Sequence, residues 1–290
     1  MKYLFVIGIQ LIYSWGSAQE LQTTFIDSLN TKYDTIVQKI FLKDSSDFKN
    51  VIISNQHIEI SVNEDDDVLL NKFISSLPKN SVKTIVTKNG TLNLSSLEQQ
   101  SSSLECLITL FLDVDTILRL KNLKNFLSFT EFDRNIFKVL NGSKQLEYVY
   151  MFTTEQNSDY LSWLPNEIKG LSINIDTIKH IRLKKLNELH IFPTDPKVGI
   201  TFTKHSKLIM PNLKLMTLSY TLNSSDIEVI KKLKNIEYLG AISVSSMAID
   251  NLYLLTHINF ISINNVDFQY RNKIEAYKNV YFNTHNQGIK

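Results

Sequence analysis

The segment LKKLNELHIF at residues 183–192 changes its apolar period midway. Leu183, Leu186 and Leu189 fall three apart, as on one face of a helix, whereas Leu189 and Ile191 fall two apart, as on one face of a strand. The pattern L-x-x-L-x-L recurs: Leu107, Leu110, Leu112; Leu146, Val149, Met151; Ile168, Leu171, Ile173; Leu186, Leu189, Ile191; Leu213, Met216, Leu218; Ile236, Leu239, Ala241; Leu255, Ile258, Phe260; and Tyr277, Val280, Phe282. A weaker copy holds Leu123 and Phe126. From Phe126 onward the middle anchors are spaced 23, 22, 18, 27, 23, 19 and 22 residues apart. A unit this short cannot bury its apolar side alone, so its copies must stack. Each is read as an entry loop followed by a strand, the strands lying side by side in a parallel sheet with the leucines in a shared core.

The stretches LKNLKNF, LKKLNEL, MPNLKLMTL and LKNIEYL resemble the start of the repeat in the leucine-rich-repeat (LRR) family, and the resemblance runs from about residue 104 to the C-terminus. It implies an α/β solenoid with a concave parallel β-sheet and a convex side of short helices and loops. It also implies recognition or adhesion rather than catalysis. One departure matters. The family often carries Asn three residues after the last strand anchor, and here that position holds Asp115, Thr154, Asp176, Thr194, Thr221, Val244, Ile263 and His285. Thr and Asp can replace some of the amide's hydrogen bonds, but Val244 and Ile263 cannot, so irregular turns are expected.

The chain opens MKYLFVIGIQLIYSWGSAQE, with Lys2 before an apolar run and Gly16-Ser17-Ala18 as small residues for cleavage. This is the layout of a signal peptide over residues 1–18, and it predicts a secreted, periplasmic or cell-surface protein. Residues 19–103 are expected to form an N-terminal cap or divergent repeats, and residues 104–290 the repeat array. Leu21, Phe25, Leu29, Tyr33, Ile36 and Ile40 have helical spacing. NVIISNQHIEISV and SVKTIVT read as strands, and DDDVLLNKFISSLP as a helix whose acidic start suits its dipole. SSDIEVIKKLKN carries Ser225 and Glu228 at capping-box spacing.

Few functional classes gain support from composition. A formal charge of +2 without a long basic tract gives no electrostatic argument for nucleic acid. Cys106 is the only cysteine and sits in an apolar run, as a buried hydrophobe would. The six histidines form no H-E-x-x-H, and glycine is too scarce for a phosphate-cradling loop. No cofactor, metal or catalytic residue is expected, nor a later membrane span.

The strand register makes the sharper prediction. Residues flanking the last two anchors should point out of the concave sheet, and the binding candidates among them are Phe111, Tyr148, Tyr150, Phe152, Glu188, His190, Phe192, Tyr238, His257 and Tyr281. Aromatics with few charges resemble the centre of a protein-binding patch. A protein partner, met through the concave face, is therefore the first expectation. A structural envelope-associated repeat protein and a carbohydrate or peptide binder using the same rings are the alternatives.

Overall fold

The structure is a computed structural model that describes residues 38–49, 53–54, 56–63, 66–109, 111–112, 114–155, 158–195 and 198–282. The expected signal segment 1–18 and the apolar positions from Leu21 to Ile36 lie outside these. The fold is α/β, and the chain divides into two compact units: residues 1–154 with 163–167, and residues 155–162 with 168–290. The division does not fall at residue 103.

In the first unit, β1 (Gln38–Leu42), β2 (His57–Val62), β3 (Thr84–Thr87), β5 (Cys106–Thr109), β7 (Asn125–Phe132) and β8 (Tyr148–Thr153) run parallel in that spatial order. β4 (Thr91–Leu92) and β6 (Phe111–Leu112) form a separate two-stranded pair. Helices α1 (Asp67–Ser76), α2 (Leu94–Leu97), α3 (Val114–Arg119) and α4 (Asn135–Asn141) lie in the connections. β1 to β3 share the sheet with β5, as divergent repeats would. Ile40, expected on a helix, instead lies in β1 with its side chain buried.

The second unit repeats the plan with β9 (Gly170–Asn174), β11 (Glu188–Phe192), β13 (Leu215–Leu222), β14 (Tyr238–Val244), β15 (Phe260–Asn265) and β16 (Val280–Phe282). β10 (Thr177–Arg182) and β12 (Thr201–Ile209) make a second parallel pair. Helices α5 (Ser224–Ile230), α6 (Ser246–Ile249) and α7 (Arg271–Glu275) complete it.

The anchors line up as ladders. Leu171, Leu189, Met216, Leu239, Ile261 and Val280 are cross-strand partners, and beside them run Ile173, Ile191, Leu218, Ala241 and Ile263. All are buried. In the first unit the ladder is Ile58, Ile85, Leu107, Phe126 and Val149. Fully burying one such side chain stabilises by about 1.5–3 kcal/mol, so the two ladders carry much of the fold's stability.

Two frames in the sequence are off by three residues. Leu107 is a middle anchor rather than a first one, and Ile261 rather than Ile258 pairs with Leu239. L-x-x-L-x-L overlaps itself wherever a further apolar residue stands three before it, as Leu104 and Leu255 do. Thr109, expected outward, is therefore fully buried, and Thr87 Oγ1 donates to its Oγ1 at 3.0 Å.

Strand entry is tied by a repeated backbone device. The carbonyl of Gln56 accepts from the N–H groups of both Lys83 and Thr84, that of Lys83 from Glu105 and Cys106, and that of Glu105 from Lys124 and Asn125. In the second unit Lys169, Asn187 and Lys214 serve Asn187/Glu188, Lys214/Leu215 and Glu237/Tyr238 in the same way, at 2.7–3.0 Å. Side-chain amides add to it there: Asn212 Nδ2 donates to the Lys184 carbonyl at 2.8 Å and Asn235 Nδ2 to the Pro211 carbonyl at 2.5 Å. Asn thus serves the turn before the strand as well as the turn after it, where Asn89 bonds both backbone groups of Val62.

Val244 and Ile263, expected at irregular turns, lie inside strands in register with Leu222 and Ala241, and the irregularities fall elsewhere. Pairing slips between Leu127 and Glu131 and again between Leu218 and Thr221. The helix cap of α5 also differs from expectation: Asn223 is the N-cap and Asp226 closes the box, two residues before Ser225 and Glu228. The acidic start of α1 holds, with Asp66 Oδ1 accepting from Leu69 N at 2.9 Å.

Two substitutions test this register. Ile261→Ala should cost about 2–5 kcal/mol in urea unfolding, whereas Ser262→Ala, on the opposite face, should stay within roughly 0.5 kcal/mol; the reverse ranking would refute the frame. Gly199 adopts φ +74, and a Cβ there would stand 2.9 Å from the Tyr220 ring. Gly199→Ala should therefore destabilise by more than about 1 kcal/mol in the same assay.

Candidate functional site

Opposite the leucine ladders, each sheet presents its other face, and the two units furnish it differently. In the first unit, Glu59, Val86, Ile108, Leu127 and Tyr150 are successive cross-strand partners, and His57, Thr84, Cys106, Asn125 and Tyr148 form the neighbouring row. Val86, Cys106, Ile108 and Leu127 are nearly inaccessible and form an apolar cluster against which Tyr150 packs. Burial follows strict alternation along β8: Val149, Met151 and Thr153 are buried, whereas Tyr148, Tyr150 and Phe152 are half-buried. The expected direction of these three rings is therefore found. Tyr150 meets Phe152 edge-on with centroids 5.8 Å apart, and burial pushes its phenol far above the ordinary range.

At the polar end of this face Lys88 Nζ reaches the buried Glu59 carboxylate at 2.9 Å. His57 Nδ1 lies 2.7 Å from Thr84 Oγ1. Burial, with Lys83 nearby, holds the His57 imidazole below its usual value.

The second unit carries two rows. Gly170, Glu188, Leu215, Tyr238 and Phe260 are partners in one, and Ser172, His190, Thr217, Gly240, Ser262 and Tyr281 in the other. Tyr238 stacks on Phe260 with centroids 5.2 Å apart and an interplanar angle of 14°. Phe260 stacks on Tyr281 at 4.2 Å and 11°. Exposure rises along this stack from 2% at Tyr238 to 50% at Tyr281. The rings form a platform whose accessible end lies at β16.

His190 sits in the same face but is almost fully buried. Its Nδ1 lies 2.6 Å from Thr217 Oγ1, and desolvation lowers its pKa to about 4. A neutral imidazole is what such a site tolerates. Near the start of α5, Asp226 is fully buried beside Tyr220, and burial raises its pKa to about 6 although the Asn223 N–H donates to its Oδ2 at 2.8 Å.

Of the ten candidates, Tyr148, Tyr150, Phe152, Glu188, His190, Phe192, Tyr238 and Tyr281 belong to these faces as expected. Accessibility is a different matter. His190, Phe192 and Tyr238 are buried, so the expectation that His190 and Phe192 stand ready to meet a partner is not met. Two candidates are misplaced. Phe111 belongs to β6, which pairs with β4 and not with the main sheet. His257 lies in the turn before β15, where its Nε2 is 3.3 Å from the Leu233 carbonyl. Phe260, which the repeat pattern places as a core anchor, is the middle of the aromatic stack. Only the three-residue frame error hid it.

Among the described residues no three His, Cys, Asp or Glu side chains are grouped to hold a metal ion, and no helix is long and apolar enough to cross a membrane.

His190 and Asp226 make opposite contributions to stability over one pH range. The His190 proton is bound more weakly in the folded chain, so its stabilisation is complete above about 6.5 and is lost as pH falls toward 4. The Asp226 proton is bound more tightly when folded, so stability rises as pH falls from about 6 toward 3.8. The wild-type chain should therefore melt with little net dependence from these two groups between pH 6 and 4. Asp226→Asn should expose a loss on acidification, and His190→Gln a gain, each on the order of 2–3 kcal/mol by denaturant melts. Parallel profiles for both variants would contradict this.

No family model matches the chain, and no curated protein matches it.

Proposed function

We propose that the chain is an exported leucine-rich-repeat solenoid that binds a partner protein, without catalysis, through the sheet face opposite its leucine ladders. The carrying observation is the Tyr238–Phe260–Tyr281 stack: three rings contributed by three successive strands, ending in a half-exposed Tyr281. Support for the family comes from repeated L-x-x-L-x-L segments whose anchors, with two frames moved by three residues, fall on one face of parallel strands. Support for recognition comes from the rings. Aromatic side chains bring a large contact area at a low cost in side-chain entropy, and a stacked row loses little further freedom when covered.

The bound element is an extended segment bearing apolar or aromatic side chains, laid against Phe260 and Tyr281. Export follows from the arrangement of residues 1–18. Flat rings at 11° to one another would also accept the apolar face of a sugar, and this is the second reading.

A peptide library displayed on phage and selected against immobilised chain tests the proposal. Enriched peptides should carry aromatic residues, and Tyr281→Ala should weaken them about tenfold or more while leaving the melting temperature at the wild-type value. Peptides indifferent to Tyr281→Ala and Phe260→Ala, or no enrichment, would sink it. Binding only to a glycan array, with the same sensitivity, would favour the sugar reading.

A further inference from the structure

We propose that the cleft beside β10 and β12 in the second unit binds a small phosphate monoester through Arg182 and Lys207. This surface is separate from the aromatic stack. Its geometry starts with an irregularity. Ile178 pairs with Phe202, but His180 pairs with Lys207, so β12 spends five residues where β10 spends two. The extra residues fold into a bulge fastened by Ser206, whose hydroxyl contacts the Ile178 carbonyl at 2.6 Å and the Thr203 carbonyl at 2.8 Å. Bulges re-aim the side chains that follow them. Here Lys207 is set opposite His180, and Ile209 opposite Arg182. All four side chains are exposed on alternate positions, while Ile181 between them is buried.

The 3₁₀ turn Ser158–Trp163 closes the cleft with Asp159 and Ser162. Ser158 docks that turn on β10, accepting from Lys179 N at 2.8 Å and lying 3.3 Å from the His180 carbonyl. The resulting space is about 420 Å³, within the usual size of a small-molecule site.

Charge decides what it takes. Asp159, the one carboxylate in the lining, is engaged by Lys179 Nζ at 3.0 Å. Among the described residues neither Arg182 nor Lys207 has a carboxylate partner. The cleft therefore offers a guanidinium fork, an ammonium and an imidazole from two strands about 5 Å apart. Three donor groups on one face match the three terminal oxygens of a tetrahedral group better than the two of a planar carboxylate. Ile209, 47% exposed, lines the same space and gives an apolar wall for the body of the ester.

Calorimetric titration of the chain with phenyl phosphate, inorganic phosphate and benzoate tests this. Phenyl phosphate should bind best of the three. Arg182→Ala and Lys207→Ala should each weaken it about tenfold or more, and Arg182→Lys should restore only part of the loss. Both side chains are exposed, so circular dichroism should match wild type. If a variant fails to fold, a second measurement on the wild-type chain still decides: phenyl phosphate should protect His180, but not His257, from diethyl pyrocarbonate, read by mass spectrometry. Absence of binding, binding untouched in both alanine variants, or no protection of His180 would overturn the site. Equal affinity for inorganic phosphate would overturn the role of the apolar wall, and tighter binding of benzoate the choice of phosphate.

Discussion

At the entry to strand after strand, one carbonyl oxygen accepts two successive N–H groups from the next repeat. The Lys83, Glu105, Asn187 and Lys214 carbonyls all do this. The device satisfies backbone donors that a tight turn would otherwise strand, and it fixes where the next strand begins. Register follows from it. Strand side chains alternate, so a start displaced by one residue would send every leucine to the wrong face. The ladder of Leu171, Leu189, Met216, Leu239, Ile261 and Val280 is therefore a consequence of the turn as much as of the leucines. Connections between these points vary in length and in helix content, while their helices still bury residues such as Ile74, Phe137 and Ile227 in the core.

Fixing one face also fixes the other, and that face is not simply polar. Both units place a histidine on one strand beside a threonine on the next: His57 with Thr84, and His190 with Thr217. In both, desolvation depresses the imidazole pKa. A neutral imidazole removed from water needs hydrogen-bond partners, and the cross-strand threonine supplies one at Nδ1. Around these pairs the units diverge. The first packs Val86, Cys106, Ile108 and Leu127 into a tight apolar cluster, whereas the second stacks aromatic rings that become more exposed strand by strand. Tyr281, at the end of that stack, is half-exposed.

Much of the strand content was legible because leucine-like residues at offsets of three and two leave few alternatives. Leu189 and Ile191 are core, and Glu188 and His190 face the other way, as the opening segment predicts. Legibility failed where the pattern overlaps itself. Leu104-Leu107 and Ile258-Ile261 satisfy the same offsets as the frames first chosen, and only cross-strand partners decide between them. That ambiguity exchanged Phe260 for His257 in the candidate site. Orientation was also easier to read than accessibility. His190 and Phe192 point as expected, yet each has neighbouring strands on both sides and is buried. A period of two carries no information on what flanks a side chain across the sheet.

The same limit explains why the cleft at β10 and β12 left no motif in the sequence. Arg182 and Lys207 are 25 positions apart and belong to strands outside the main ladder. They come together only because a bulge absorbs the residues between Phe202 and Lys207. Had the pairing continued unbroken from Ile178 and Phe202, His180 would have faced Lys204 and Arg182 would have faced Ser206. The cation opposite Arg182's neighbour would then sit on a different residue, and the isoleucine wall would be displaced with it. A regular repeat array has no reason to carry such a break for stability, since a bulge forfeits ladder hydrogen bonds. Here Ser206 recovers part of that loss by bonding Ile178, so the irregularity is held in one defined shape rather than left loose.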